Sequence, residues 1–254
     1  MSLDSLGFPP KLIVDFATPE GVYRSVDELK WADVPPNTSI GTTVSFMTIK
    51  SVDPQKPPPT STDPVEPSGQ PVRFVEVPVT GDDKGSFSFF RGGKIKKSSK
   101  TVSKPSSSFV AKISAHEQLA KLLAYRPAEN TYMFFNVGKA FIWADFKPVA
   151  KQTLSCIHFK EAFVTCHDVN MLTRDNMDSV IGFSGGDVMW YSPLSGKYAR
   201  LNRQGVIKKS CVTCIKWMPG SENLFLAGHE DGSIIIYDKE KDDQNFTMAP
   251  GDNE

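Results

Sequence analysis

Gly138-Lys139-Ala140-Phe141-Ile142-Trp143 lines up with Gly186-Asp187-Val188-Met189-Trp190-Tyr191, forty-eight residues later, and Gly232-Ser233-Ile234-Ile235-Ile236-Tyr237 follows after a further forty-six. Each has a glycine turn, a β-prone run and an aromatic five residues past the glycine. A second feature keeps step: Val164-Thr165-Cys166 recurs as Val212-Thr213-Cys214, again forty-eight apart. A period slightly above the ~40–45 residues of a four-stranded propeller blade fits once a few loop insertions are allowed. Each blade of such a fold is a small twisted antiparallel sheet buried against its neighbours, so its strands read as nearly continuous apolar runs. Leu224-Phe225-Leu226-Ala227 and Ile234-Ile235-Ile236-Tyr237 are two such runs. The Asp231-Gly232 pair between them supplies the positive φ of a tight hairpin.

Val212, Ile215 and Trp217 mark the strand before these two, ended by Pro219-Gly220. Tyr237-Asp238 stands where the Trp-Asp pair of a WD repeat would sit, whereas the earlier repeats end in Trp143-Ala144 and Tyr191-Ser192. Gly205-Val206-Ile207 replaces the Gly-His pair of a regular repeat, so the His/Asp hydrogen-bond network of regular blades is not expected. The repeat positions Gly138, Trp143, Gly186, Tyr191, Trp217, Gly232, Tyr237 and Asp238 are read as structural. The fold expected is all-β, a WD40-type propeller that is incomplete, with about three recognisable repeats.

Working outward, residues 109–242 form the repeat region and 243–254 a polar tail expected to be disordered. Residues 1–53 hold strand candidates at Gly21–Val26 and Thr43–Ile49, expected to pack on the propeller. Residues 54–108 read as a largely disordered insertion. Seven prolines fall in the eighteen residues from Pro54 to Pro71, too little apolar area to offset chain ordering. A strand resumes at Val72–Val77. Arg91 to Lys112 holds seven basic residues and no acidic one among many serines, the composition of a solvated linker, with a nuclear-import tract as the alternative. His116–Ala124 has the i, i+3, i+4 apolar spacing of a short helix.

Composition excludes several classes. The chain of 254 residues carries 29 Lys+Arg against 29 Asp+Glu, so blanket attraction to nucleic acid or anionic membrane is not its mode of binding. Hydrophobic residues are 39%, below the ~45–50% usual for compact domains, which points to partial disorder. No run approaches the ~18 apolar residues of a membrane helix, and Met1-Ser2-Leu3-Asp4 lacks signal-peptide order. Four cysteines in such a chain suggest free thiols in a reducing, intracellular setting, cytoplasmic or nuclear.

Two motifs invite chemistry. Cys211-x-x-Cys214 opens a strand rather than a helix, and Cys156, Cys166, His158 and His167 stand at no standard metal spacing, so buried thiols without metal or cofactor are expected. Gly182-Phe183-Ser184-Gly185-Gly186 fits the hydrolase elbow Gly-x-Ser-x-Gly letter by letter. The elbow needs a strand leading into a helix, whereas a strand follows here. An acyl-transfer enzyme using Ser184 is therefore the alternative to a protein without catalytic residues. No phosphate-cradling loop appears, so nucleotide hydrolysis has no support, and no small-molecule substrate is expected of a scaffold.

Cys166-His167-Asp168-Val169-Asn170, Ile181-Gly182-Phe183-Ser184-Gly185-Gly186-Asp187, Pro193 through Asn202 and Pro219-Gly220-Ser221-Glu222-Asn223-Leu224-Phe225-Leu226-Ala227 resemble the catabolite repression protein creC family of fungal WD-repeat proteins. The likeness is nearly continuous from about Phe109 to Asp242 and looser around Gly21 to Thr48. The Pro-Gly-Ser-Glu-Asn-Leu-Phe run is far more specific than a generic WD signature. Animal relatives of this family are cofactors of ubiquitin-specific proteases. The resemblance implies a non-catalytic scaffold whose partner is a creB-type ubiquitin protease, acting in carbon catabolite repression.

The family's propeller continues past the point where this chain ends, and closed propellers usually need at least ~4 blades. We read the chain as a truncated product, with completion of the ring by another chain as the alternative. On that reading the blade holding Trp217, Leu224, Leu226, Ile234 and Ile236 has one uncovered apolar face. The isolated chain is then expected to be marginally folded and to self-associate.

Overall fold

The computed structural model describes residues 15–24, 40–50, 74–77, 84–86, 107–117, 119–124, 129–146 and 151–243. The readings of Pro54–Pro71, of most of the basic tract and of the tail after Asp243 lie outside the described residues. Met1–Pro35 is a compact unit of its own, in which β1 (Asp15–Thr18) and β2 (Gly21–Arg24) pair as a hairpin. The second unit, Pro36–Glu254, holds the other elements: β3 (Val44–Lys50), β4 (Phe74–Val77), β5 (Lys84–Ser86), β6 (Val110–His116), α1 (Leu119–Ala124), β7 (Glu129–Val137), β8 (Ala140–Phe146), β9 (Lys151–Phe159), β10 (Val164–Val169), β11 (Ser179–Phe183), β12 (Val188–Ser192), β13 (Lys197–Leu201), β14 (Val212–Trp217), β15 (Leu224–His229) and β16 (Ile234–Asp238).

These strands form three antiparallel sheets, the blades of an incomplete propeller. Their orders are β3-β7-β8-β9-β6-β4, β10-β11-β12-β13-β5 and β14-β15-β16. The innermost strands are neighbours: β10 lies against β3 and β7 on one side and β14 on the other. The first blade thus draws its inner strand from before the insertion, with Val44 opposite Phe135 and Lys50 opposite Glu129. Further strands then widen the sheets: β6 pairs with β9 and β4 with β6, and β5 pairs with β13. The expected helix is shorter than its spacing suggests, because His116 extends β6 opposite Phe74, and α1 starts at Leu119, which is buried.

Each pair of adjacent blades encloses its own apolar layer. Met47, Tyr132, Phe134 and Trp143 of the first blade meet Ile181, Phe183, Met189 and Tyr191 of the second. Cys166, Val180, Val188 and Leu201 of the second meet Val212, Trp217, Phe225 and Tyr237 of the third. The middle blade is covered on both faces, so all five residues of β11 are buried. The repeated Val-Thr-Cys is a pair of equivalent β-bulges. Register slips between Val164 and Cys166 opposite β11, and between Val212 and Cys214 opposite β15. The extra residue is Thr165 in one and Thr213 in the other, and a bulge at this place bends the inner strand where blades crowd together.

The glycine repeat is only partly equivalent. Phe183 N donates to Asp187 O and His229 N to Ser233 O, so the second and third hairpins turn over three residues ending in Gly186 and Gly232. In the first, Val137 pairs with Ala140, and Gly138 opens a two-residue turn. The shorter turn shifts the register, and a one-residue slip moves a side chain to the other face. Trp143 therefore faces the following blade, whereas Tyr191 and Tyr237 face the preceding one. Trp217 likewise belongs to the covered side of its blade and packs on Phe225, ring centroids 5.4 Å apart. Of the five side chains expected on the uncovered face, Ile234 (72%) and Ile236 (61%) are exposed, and Leu224 and Leu226 are half-buried.

The inner strand β3 is held by a buried polar clasp. Asn136 Oδ1 accepts from the Thr43 amide at 2.8 Å and the Thr43 hydroxyl at 2.6 Å. Its Nδ2 donates to Gly41 O at 3.2 Å and to Val164 O, in the second blade, at 3.0 Å. The Thr43 hydroxyl has one proton and gives it to Asn136, so its oxygen accepts from His167 Nδ1–H at 3.0 Å. The ring of His167 is buried and also meets the Phe134 backbone. Burial pulls the His167 pKa from 6.5 down to about 4, the neighbouring Asp168 opposing the shift only in part.

Two expected outcomes follow from these details. At Gly186 (φ +93°) a Cβ would stand 2.6 Å from Lys208 O and 2.9 Å from Ser210 O, whereas at Gly232 (φ +85°) it would meet open space. Both substitutions to Ala force a left-handed backbone, but only Gly186→Ala adds a clash with the lead-in to the next blade. Urea denaturation should show a loss of about 3 kcal/mol for Gly186→Ala and about 1 kcal/mol for Gly232→Ala. For His167 the unfolded chain takes up a proton near pH 6.5 and the folded chain only near pH 4. Its contribution is complete above pH 6.5 and is lost as pH falls towards 4, by about 3 kcal/mol. Denaturation series from pH 7 to pH 4 should show this part of the decline flattened in His167→Gln.

Candidate partner-binding surface

The blades present two unlike rims. At one, the second and third strands join through the tight turns at Gly138, Gly186 and Gly232. At the other leave the connections from each blade's first strand to its second: the insertion between β3 and β7, residues 170–178, and residues 218–223. The tight rim is held by backbone bonds. Within blades, Ser184 N donates to Phe163 O at 3.0 Å and Glu230 N to Cys211 O at 2.9 Å, and between the first and second blades Val164 N donates to Gly138 O at 2.9 Å.

Fully bonded side chains reinforce that rim. Asn202, buried in the left-handed region, donates to Gly186 O at 2.8 Å and Lys208 O at 2.7 Å. It also accepts from the amides of Ile207 and Lys208. Asp187 pairs with Arg200 at 2.8 Å, both nearly buried, and the guanidinium lies 3.9 Å from the centre of the Phe109 ring. A buried acid is tolerable here because its charge is met by Arg200 and by the Gln204 amide. These are residues of tertiary packing.

The second and third blades are also joined by ion pairs. Asp168 accepts from Lys216 Nζ and from the Trp217 amide, both at 2.9 Å. Lys239 reaches back to Asp178 at 2.7 Å, its ammonium 5.2 Å from the Trp190 ring and 5.9 Å from Trp217. This cation between two indoles occupies the interface beside Asp238. Asp238 itself, the residue aligned with the WD aspartate, accepts from the Glu240 amide at 3.0 Å and so shapes the exit from β16. Tyr237 stacks on Phe225 at 5.5 Å, and burial raises the pKa of both Tyr191 and Tyr237.

Neither chemical motif is assembled into a site. Ser184 lies in the turn between two strands, and its Oγ accepts from the Phe163 amide at 3.3 Å. The described histidine contacts run elsewhere: His158 to Cys156, His167 to Thr43, and His229 to Ser210 O. The thiols of Cys166 and Cys211 both donate to Val212 O. Burial pushes Cys166 up to about 12 and raises Cys211 as well, so both stay protonated and poorly nucleophilic. Among the described residues, no group of three His, Cys, Asp or Glu could hold a metal.

The loop-rich rim holds what sequence reasoning missed. Met171 and Leu172 stand adjacent and exposed within residues 170–178, among polar neighbours. The available signal was an apolar pair inside a polar connection, Asp168 to Asp178, where nothing in the repeat requires one.

No family model matches the chain. It is similar to the UBP9-binding protein bun62 of Schizosaccharomyces pombe, 34% identical over 140 residues that cover 54% of this chain and 26% of that protein. It is also similar to WD repeat-containing protein 20 of Mus musculus, 38% identical over 113 residues, 43% of this chain and 18% of that protein. The matches thus span about a quarter or less of the length of these curated relatives. A WD-repeat likeness accords with three antiparallel blades, each packed face to face on the next.

Proposed function

We propose that this chain is a non-catalytic WD-repeat scaffold that binds and regulates a ubiquitin-specific protease. The observation that carries this reading is the similarity to a protein named for binding UBP9, across more than half of the chain. The creC-like runs from Cys166 to Ala227 add the finer statement: the partner is a creB-type protease, and the setting is intracellular carbon catabolite repression. Propeller rims suit such a role because rigid blades present loops at low ordering cost. No described helix is long and apolar enough to cross a membrane. The alternative, acyl transfer at Ser184, gains no support from a serine in a strand–turn–strand hairpin.

The test is binding of the purified chain to a panel of purified ubiquitin-specific proteases that includes UBP9, with cleavage of a ubiquitin conjugate as second readout. Binding to one panel member with a change in its cleavage rate is expected, and Ser184→Ala should leave both unchanged. Failure to bind any member, or an esterase activity lost in Ser184→Ala, would contradict the proposal.

A further inference from the structure

Residues 170–178 form a rigid platform. Asn170 is buried, donates from Nδ2 to Ser221 O of the neighbouring loop at 3.0 Å, and accepts from the Leu172 amide at 2.9 Å. The Asn170 amide closes the base of the loop on Asp178 O at 2.8 Å. Thr173 O accepts from the amides of Asn176 and Met177, and Ser192 Oγ donates to Asn176 O at 3.2 Å. Met177 is fully buried with φ 56°, a left-handed conformation that a side chain keeps only when its surroundings enforce it.

On this platform Met171 (47%) and Leu172 (53%) face solvent. Their exposure is not the result of a slack loop, because the backbone beneath them is bonded at both ends and in the middle. Pro219 is exposed on the adjoining loop that Asn170 grips. Around them stand exposed Arg174, Asp175 and Glu222, charges of both signs.

We infer that Met171 and Leu172 are the apolar centre of the surface that docks the ubiquitin-specific protease. The inference rests on the function proposed above and adds the site. The chemistry selects a folded protein surface as occupant. Charges of both signs, in a chain of zero formal charge, offer no field to a polyanion. The loop runs as bends and turns, with the amides of Asn170, Leu172, Asn176 and Met177 already bonded, so it presents no extended edge to an added strand. What remains is a preorganised apolar pair in a polar, charged rim, which fits an apolar depression ringed by charge on the partner. Preorganisation also means that little loop ordering opposes binding.

The test compares the unaltered chain, the double variant Met171→Ser/Leu172→Ser, and Val206→Ser on the opposite rim, where Val206 is comparably exposed (49%). Affinity is measured by calorimetry for UBP9 or whichever panel protease the unaltered chain binds. Circular dichroism and melting are expected to be alike for all three. The double variant should bind at least about tenfold more weakly, with Val206→Ser unchanged. Binding of the double variant within about twofold of the unaltered chain would overturn the inference while leaving the proposed function standing. An equal loss in Val206→Ser would overturn it in the same way. If the unaltered chain binds no protease, both fall together. Hydrogen exchange on the complex provides a check free of substitutions: protection of residues 170–175 is expected, and its absence would contradict the site even if the double variant misfolded.

Discussion

The carboxamide of Asn136 uses both ends at once, and the arrangement of the blades depends on it. Its oxygen holds the amide and hydroxyl of Thr43, ninety-three positions away in the chain, and its nitrogen holds Gly41 O and Val164 O. Those contacts fix where β3 enters the first blade, and through Val164 they fix where the second blade starts. Loop-closure entropy opposes any pairing across so long an insertion. The pairing of β3 with β7 is therefore worth its ordering cost only if the entering strand is gripped and its apolar face, Met47 and Ile49, is buried against the second blade. A buried amide with every bond made also specifies one register, since a slip would leave several polar groups unpaired.

From blade to blade the grip changes chemistry while its purpose stays the same. Between the first and second blades it is neutral: Asn136, Thr43 and a histidine kept uncharged by burial. Between the second and third it is ionic, with Lys239 on Asp178 between two tryptophans and Lys216 on Asp168. Regular WD repeats would be expected to repeat one network. Here the sequence departs from the repeat at Gly205-Val206-Ile207, and the stretch that departs is organised instead by Asn202, whose side chain satisfies four backbone groups.

The second and third blades were legible in the sequence because their strands are consecutive and their hairpins share one turn length. The Val-Thr-Cys repeat was visible as a pattern, but its meaning as paired bulges needed the register opposite Gly182 and Gly228. The first blade was read less fully, for two physical reasons. Its inner strand pairs across the insertion, which no local periodicity reports. Its hairpin at Gly138 is one residue tighter than the others, so an alignment on glycine puts Trp143 on the wrong face. The candidate surface at Met171 and Leu172 escaped notice because it belongs to no repeat. Strand periodicity marks what a blade must bury, and a docking residue is by definition left over from that requirement.

The dependence on β3 is open to a direct measurement, native-state hydrogen exchange of the backbone amides of Val44–Lys50 against those of Glu129–Val137. If the inner strand is clasped as described, both strands exchange through the same global opening and respond alike to denaturant. Rapid exchange of Val44–Lys50 while Glu129–Val137 stays protected would contradict a first blade built on both strands.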